Sequence, residues 1–199
     1  MLIYLQIDTQ CERIHMRVIA GKYKSRKLKT VVSNTTRPTT DRNKESIFNM
    51  IGPYFDSGVV LDLFGGSGGL GIEAISRGCS YLYTIENQYE AYKVIKENLA
   101  SLHIENATVW KSDYKKALTR LAKEGVCFDL VLLDPPYGKQ MIDDILLYLV
   151  TNKMLHNNSK IVVEELNKVS FTVPMELQQI KRSSYGITAV TIYKYHEEE

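Results

Sequence analysis

From residue 58 onward, short apolar runs alternate with amphipathic stretches, and this alternation leaves few possible folds. The pattern predicts strands at 58–63, 80–86, 107–111, 128–133 and 159–165, with helices at about 69–77, 88–102, 114–124 and 140–151. The 88–102 helix is the clearest, since Ala91, Val94, Ile95, Asn98, Leu99 and Leu102 trace one stripe. Repeated strand–helix units imply a parallel sheet with right-handed crossovers and helices on both faces. The tail differs: 178–184 and 187–195 flank a Tyr185-Gly186 turn and predict an antiparallel hairpin closing a sheet of seven strands. The expected class is therefore α/β and Rossmann-like, and 199 residues suffice for one such domain and a small appendage.

The most informative strand end is Asp134-Pro135-Pro136-Tyr137, which follows the apolar run Leu130-Val131-Leu132-Leu133. Two prolines cannot continue a ladder, because neither has an N–H and both fix φ. The chain must leave the sheet there, holding an acid, a rigid carbonyl and an aromatic ring at its edge. That set suits a planar group bearing –NH2, with the acid and carbonyl accepting its hydrogen bonds while the ring stacks on it. Asp134, Pro135, Pro136 and Tyr137 are the candidate catalytic residues.

A second strand ends in Asp62-Leu63-Phe64-Gly65-Gly66-Ser67-Gly68-Gly69-Leu70-Gly71, where glycines allow a backbone to approach a ligand closely. Gly66 to Gly71 spells G-x-G-x-x-G, a dinucleotide fingerprint that is weak by itself. In open α/β sheets ligands bind beyond the carboxyl ends of the strands, and four such ends carry acids: Asp62, Glu86, Asp113 and Asp134. Each alone reads as a cap or loop acid; four at one edge do not. Glu86 follows Gly66 by 20 residues, the offset at which an acid holds ribose hydroxyls. Asp113 is placed for an adenine amino group, with Asn87 and Tyr114 beside these two acids. Asp62, Phe64, Gly65, Gly66, Ser67, Gly68 and Gly71 would meet the ligand's other polar end. An acid before the glycines is wrong for a pyrophosphate and right for an ammonium, which favours S-adenosylmethionine over NAD. An amine held beside Asp134 would then take the methyl group by direct displacement, with alignment supplying most of the acceleration.

Charge adds a polyanion. Between Met16 and Glu45 stand nine basic residues (Arg17, Lys22, Lys24, Arg26, Lys27, Lys29, Arg37, Arg42 and Lys44) against Asp41 and Glu45, in a chain of net charge +2. The stretch from Met16 to Thr30 predicts a short basic hairpin. Candidate nucleic-acid-binding residues are Arg17, Lys22, Lys24, Arg26, Lys27, Arg37, Thr39, Thr40 and Arg42. A target base in a helix would have to be flipped out, or a looped base chosen. Thr40 or Asp41 is placed to cap a helix running to Gly52.

Together these residues resemble class I S-adenosylmethionine-dependent methyltransferases, and more narrowly the bacterial RsmD family. The likeness runs from Met16 to Tyr195. It rests on Met16-Arg17-Val18-Ile19-Ala20-Gly21 with Arg26-Lys27-Leu28, on Arg37-Pro38-Thr39-Thr40-Asp41-Arg42 with Glu45, on Asp62 through Ala74, and on Asp134 to Tyr137. The resemblance implies methyl transfer to the exocyclic N2 of a guanine in 16S ribosomal RNA. It also implies that Glu86 holds the ribose, Asp113 the adenine, and the hairpin RNA. A short chain with one small basic arm is expected to rely on assembled shape as much as base sequence, which makes a partly or fully assembled small subunit the expected partner. The expected organisation is an extra segment at 1–15 (an upstream start or expression remnant), a basic arm at 16–39 and a methyltransferase domain at 40–199. Gly65 and Lys44 stand where alanine and arginine are more usual in the family, and Ser25 replaces a frequent glycine. Lys44 in place of arginine would weaken a bidentate phosphate contact, were one made there.

No apolar run approaches the ~20 residues that span a bilayer, and the first 15 residues lack a signal-peptide pattern, so a cytoplasmic location is expected. Nothing in the sequence demands a dimer, and a monomer is expected. Cys11, Cys79 and Cys127 and four scattered histidines predict neither disulfides nor a metal site. Three rival readings stay open: a DNA adenine-N6 or protein glutamine methyltransferase, a nicotinamide oxidoreductase, and a non-catalytic RNA-binding module.

Overall fold

The structure, a computed structural model, describes residues 16–31, 41–136 and 141–197. Its elements in chain order are β1 (Met16–Arg17), β2 (Lys27–Leu28), α1 (Asp41–Ile51), β3 (Val59–Asp62), α2 (Gly69–Ser76), β4 (Tyr81–Glu86), α3 (Tyr89–Ser101), β5 (Ala107–Lys111), α4 (Tyr114–Lys123), β6 (Phe128–Leu133), α5 (Ile142–Thr151), β7 (Leu155–Leu166), β8 (Leu177–Tyr185) and β9 (Thr188–Tyr195). Seven strands form one sheet in the order β5-β4-β3-β6-β7-β9-β8, while β1 and β2 pair separately. Strands β3 to β7 pair in parallel, and β9 enters antiparallel between β7 and β8. The expected α/β architecture with its antiparallel C-terminal hairpin is therefore present.

Alternate residues of the central strands face opposite ways and divide the core in two. Val60, Leu82, Leu130, Leu132, Val162, Val190 and Ile192 meet α1, α2, α3 and the β1–β2 hairpin. Leu61, Ile85, Val131, Leu133, Ile161 and Val163 meet α4 and α5 on the opposite face. Both faces are covered, so β3 and β6 are near-continuous apolar runs.

Strand β7 begins at Leu155, earlier than the predicted 159. Its first residues, Leu155-His156-Asn157-Asn158, are largely polar and exposed, with no alternation for a sequence reading to find. The β6–β7 register shifts between Phe128 and Leu130, a bulge that separates this extension from the buried half of the strand.

Candidate methyl-transfer site and basic hairpin

Because β3, β4, β5 and β6 are parallel neighbours, their carboxyl ends lie along one rim. Read across the sheet, the acids fall in the order Asp113, Glu86, Asp62, Asp134. Three strand spacings separate the first from the last, roughly 14 Å at ~4.8 Å per strand. A ligand lying across this rim would meet the acids in that order.

Two of them already hold the glycine loop. Glu86 accepts from the Gly66 N–H at 2.9 Å and from the Gln88 N–H at 2.7 Å. Asp62, buried at 2% exposure, accepts from the Gly71 N–H at 3.1 Å. Burial pushes the Asp62 carboxyl up to about 7, Glu86 adds to the rise, and the N–H groups of Gly71 and Phe64 oppose it. A buried carboxyl of this kind is prepared for a cationic partner, because an ammonium beside it would offset the lost hydration. Asp113 caps α4 by accepting from the Lys115 N–H at 2.9 Å. The Phe64 and Tyr114 rings stand 5.8 Å apart on the α4 side of the rim.

Gly65 explains one departure from the family pattern. A Cβ there would lie 2.4 Å from Thr84 Oγ1 and 2.9 Å from Ile95 Cδ1, so alanine does not fit without a shift. Thr84 Oγ1 is buried without a hydrogen-bond partner among the described residues, so this oxygen occupies space that a smaller side chain would leave to alanine.

After β6 the chain leaves the sheet as the prolines require. Asp134 is half-buried, Pro135 buried and Pro136 exposed. Tyr137 lies outside the described residues, as do Arg37, Thr39 and Thr40. Asn87 is exposed at the rim, immediately after Glu86.

The hairpin is tied down by partners that sequence reasoning did not single out. Glu73, buried in α2, accepts from the Ile19 N–H at 2.7 Å and the Ala20 N–H at 3.0 Å, and pairs with the Arg77 guanidinium at 2.7 Å. Ser76 accepts from the Tyr23 N–H at 2.9 Å, and its carbonyl accepts from the Lys22 N–H at 2.7 Å. Gly21 permits this approach: it has φ +81°, and a Cβ there would stand 1.8 Å from the Ser76 carbonyl oxygen. Met16, Val18 and Leu28 enter the same core as α1, α2 and α3.

Lys44 has a role the sequence did not show. Its side chain is fully buried and donates to the Arg17 carbonyl, so it braces the hairpin and is not placed for a phosphate contact. Burial pulls its pKa down, with Glu73 and Asp41 opposing. Asn98 on α3 accepts from the Lys29 N–H at 2.8 Å, and its Nδ2 donates to the carbonyls of Lys29 and Ser67 at 3.0 and 2.9 Å. The Val31 N–H donates to Ser67 Oγ at 3.2 Å, so the arm and the glycine loop share anchors. The only textual clue to Asn98 was a polar residue within an apolar stripe.

Among the candidate RNA-binding residues, Arg17 pairs with Asp41 at 2.8 Å and Arg26 donates to the Ser101 carbonyl at 3.0 Å. Lys22 lies 5.2 Å from the Tyr23 ring centre. Lys24, Lys27 and Arg42 are exposed. No His/Cys/Asp/Glu group suited to a metal occurs among the described residues. No helix among them is long and apolar enough to cross a membrane.

Comparison with known proteins gives the family and the fold. The family model described as Conserved hypothetical protein 95 matches residues 16–194. Bacillus subtilis YlbH is 44% identical over 90% of this chain and 98% of its own length. Ribosomal RNA small subunit methyltransferase D of Escherichia coli K12 is 33% identical, over 90% of this chain and 89% of its own. The solved structure of Escherichia coli yhhF superposes with a TM-score of 0.81 at 32% identity, covering 92% of this chain and 99% of that one. With nearly its whole described length matched in sequence and in fold, the chain belongs to the RsmD family of class I methyltransferases.

Proposed function

We propose that this protein transfers a methyl group from S-adenosylmethionine to the exocyclic N2 amine of a guanine in small-subunit (16S) ribosomal RNA. The observation that carries the reading is the order of acids along the rim, ending at the Asp134-Pro135 turn. That donor set fits the cofactor: Asp113 for the adenine, Glu86 for the ribose, and buried Asp62 with the glycine loop for the ammonium end. Phe64, Gly65, Gly66, Ser67, Gly68, Gly71, Asn87 and Tyr114 complete the cradle. When bound, the cofactor supplies a methyl group on a cationic sulfur.

The protein's own part is orientation. A guanine amine is a poor nucleophile because its lone pair is delocalised into the ring. Its two N–H groups would donate to the Asp134 carboxylate and the Pro135 carbonyl, which aims the lone pair, while Tyr137 stacks on the base. Fixed acceptors at the point where positive charge develops on nitrogen stabilise the transition state without reorganising. The hairpin cations and the segment bearing Arg37, Thr39, Thr40 and Arg42 would hold phosphates of the RNA, within an assembled particle and with the enzyme as a monomer. The related protein of Escherichia coli, named for the small ribosomal subunit, supports that substrate.

The test is isotopic methyl transfer to small-subunit particles from a strain lacking the enzyme, followed by nucleoside mass analysis. N2-methylguanosine is the expected product. N6-methyladenosine, or label in a ribosomal protein, overturns the guanine reading. In the same assay Asp134→Ala is expected to abolish transfer while cofactor affinity stays within a few-fold.

A further inference from the structure

We propose that the outer ridge of α3 is a stacking platform for unpaired nucleotides of the RNA substrate, extending the track that the hairpin begins. This rests on the RNA reading above and deepens it. Tyr89 and Tyr92 open α3 with their rings 6.5 Å apart and inclined by 27°. The helix buries Ala91, Ile95, Asn98 and Leu99, and Tyr89 lies off that stripe at 54% exposure. Core packing therefore does not account for it. Three ammonium groups border the rings: Lys93 and Lys111 lie 5.4 and 5.5 Å from the Tyr89 centre, and Lys96 lies 5.6 Å from that of Tyr92.

An exposed ring beside a half-buried one, interleaved with cations, matches a chain of flat bases joined by phosphates, since every base has a π-face and every linkage a negative charge. Two acids lie close by. Glu90 stands 3.8 Å from Lys93, and Glu97 is engaged by Lys29 at 2.7 Å. Lys96 and Lys111 form no ion pair among the described residues.

The ridge is continuous with the hairpin. Tyr89, Lys93, Glu97 and Ser101 follow one another at four-residue spacing and so form one row, inclined to the helix axis. Glu97 binds Lys29, and the Ser101 carbonyl binds Arg26. Hairpin cations thus occupy one end of the row and the tyrosines the other, about 12 Å apart from Tyr89 to Glu97 at ~1.5 Å per residue. The tyrosine end lies three residues beyond Glu86, at the rim. The basic face of α4, with Lys115, Lys116, Arg120 and Lys123, is a weaker candidate on the opposite side of the sheet. There Arg120 pairs with Glu124 and covers Trp110, and Lys115 faces Asp144.

The test compares the full-length protein with three double variants: Tyr89→Ala with Tyr92→Ala, Tyr89→Phe with Tyr92→Phe, and Lys93→Gln with Lys96→Gln. Binding is measured to a short fluorescein-labelled single-stranded oligoadenylate and to small subunits from a strain lacking the enzyme. The alanine pair is expected to weaken both about tenfold or more and to raise KM, with kcat, cofactor affinity and Tm unchanged. The phenylalanine pair is expected to restore binding, because the ring is what stacks. The glutamine pair is expected to lower the single-strand salt slope by about 1.4, at ~0.7 per phosphate. Unchanged binding by the alanine pair overturns the proposal. So does an equal loss in the phenylalanine pair, or a change in cofactor affinity, which would assign the rings to the cofactor. A loss on particles with oligoadenylate binding intact would assign the ridge to a ribosomal protein instead. Wild-type protein that methylates no ribosomal RNA refutes the methyl-transfer reading, whereas the oligoadenylate measurement reads the ridge independently of methyl transfer.

Discussion

Asp62 ends β3 with its carboxyl inside the protein, and its folded pKa of about 7 stands above the ordinary 3.8. The native state therefore holds a proton that the unfolded chain gives up. This group's contribution to stability is full below about pH 3.8 and is lost as pH rises through about 7. A cationic ligand needs the opposite form. If Asp62 receives the ammonium end of the cofactor, affinity falls about tenfold for each pH unit below about 7 and levels off above it. Calorimetric titration across that range checks this, and Asp62→Asn is expected to bind more weakly with the pH dependence flattened. A wild-type curve with no slope would remove Asp62 from the cofactor's charged end. Gly65 offers a second test at the same scale. Gly65→Ala is expected to cost about 1–3 kcal/mol through overpacking against Thr84 and Ile95. Adding Thr84→Ala is expected to recover much of that loss, because it deletes the oxygen in the way. Denaturant melts of the single and double variants measure the coupling.

At the scale of elements, the hairpin depends on α2 and α3 as much as on its own pairing. Its strands are two residues each, too short to stand alone. Glu73→Ala leaves the buried Arg77 guanidinium without its carboxylate, with the Pro53 carbonyl still accepting from it, and frees the Ile19 and Ala20 N–H groups, an expected cost of about 3–5 kcal/mol. Limited proteolysis should then cut within the hairpin before the sheet domain, with the first cleavage sites read by mass spectrometry. The sequence made the elements legible because apolar periodicity is local: α3 was predicted over 88–102 and spans Tyr89–Ser101. The acids at the rim were legible for the same reason, each following its own strand. Docking was not, since it is carried by residues far apart in the chain. Lys44 read as a surface cation because lysine is almost never fully buried. Only its bond to the Arg17 carbonyl, 27 residues away, reveals the brace.

For the molecule as a whole, charge is divided along the chain, with basic residues crowded between Met16 and Glu45, and the net +2 conceals this. Lys24→Gln is the cleanest probe of the hairpin in RNA binding, since Arg17 and Arg26 also hold Asp41 and Ser101 in place. The expected outcome is weaker binding and a salt slope reduced by roughly 1, measured by fluorescence titration at several ionic strengths. An unchanged slope would take Lys24 out of the interface.

The clasp formed by Glu73, Ser76 and Lys44 has one more consequence. A handle that cannot swing keeps a constant distance between where the substrate is gripped and where the reaction happens. On the ribosomal reading, such an enzyme works as a caliper. It would pick its nucleotide by offset from a landmark in the folded particle, and neighbours with the same base would escape because they sit at the wrong mark.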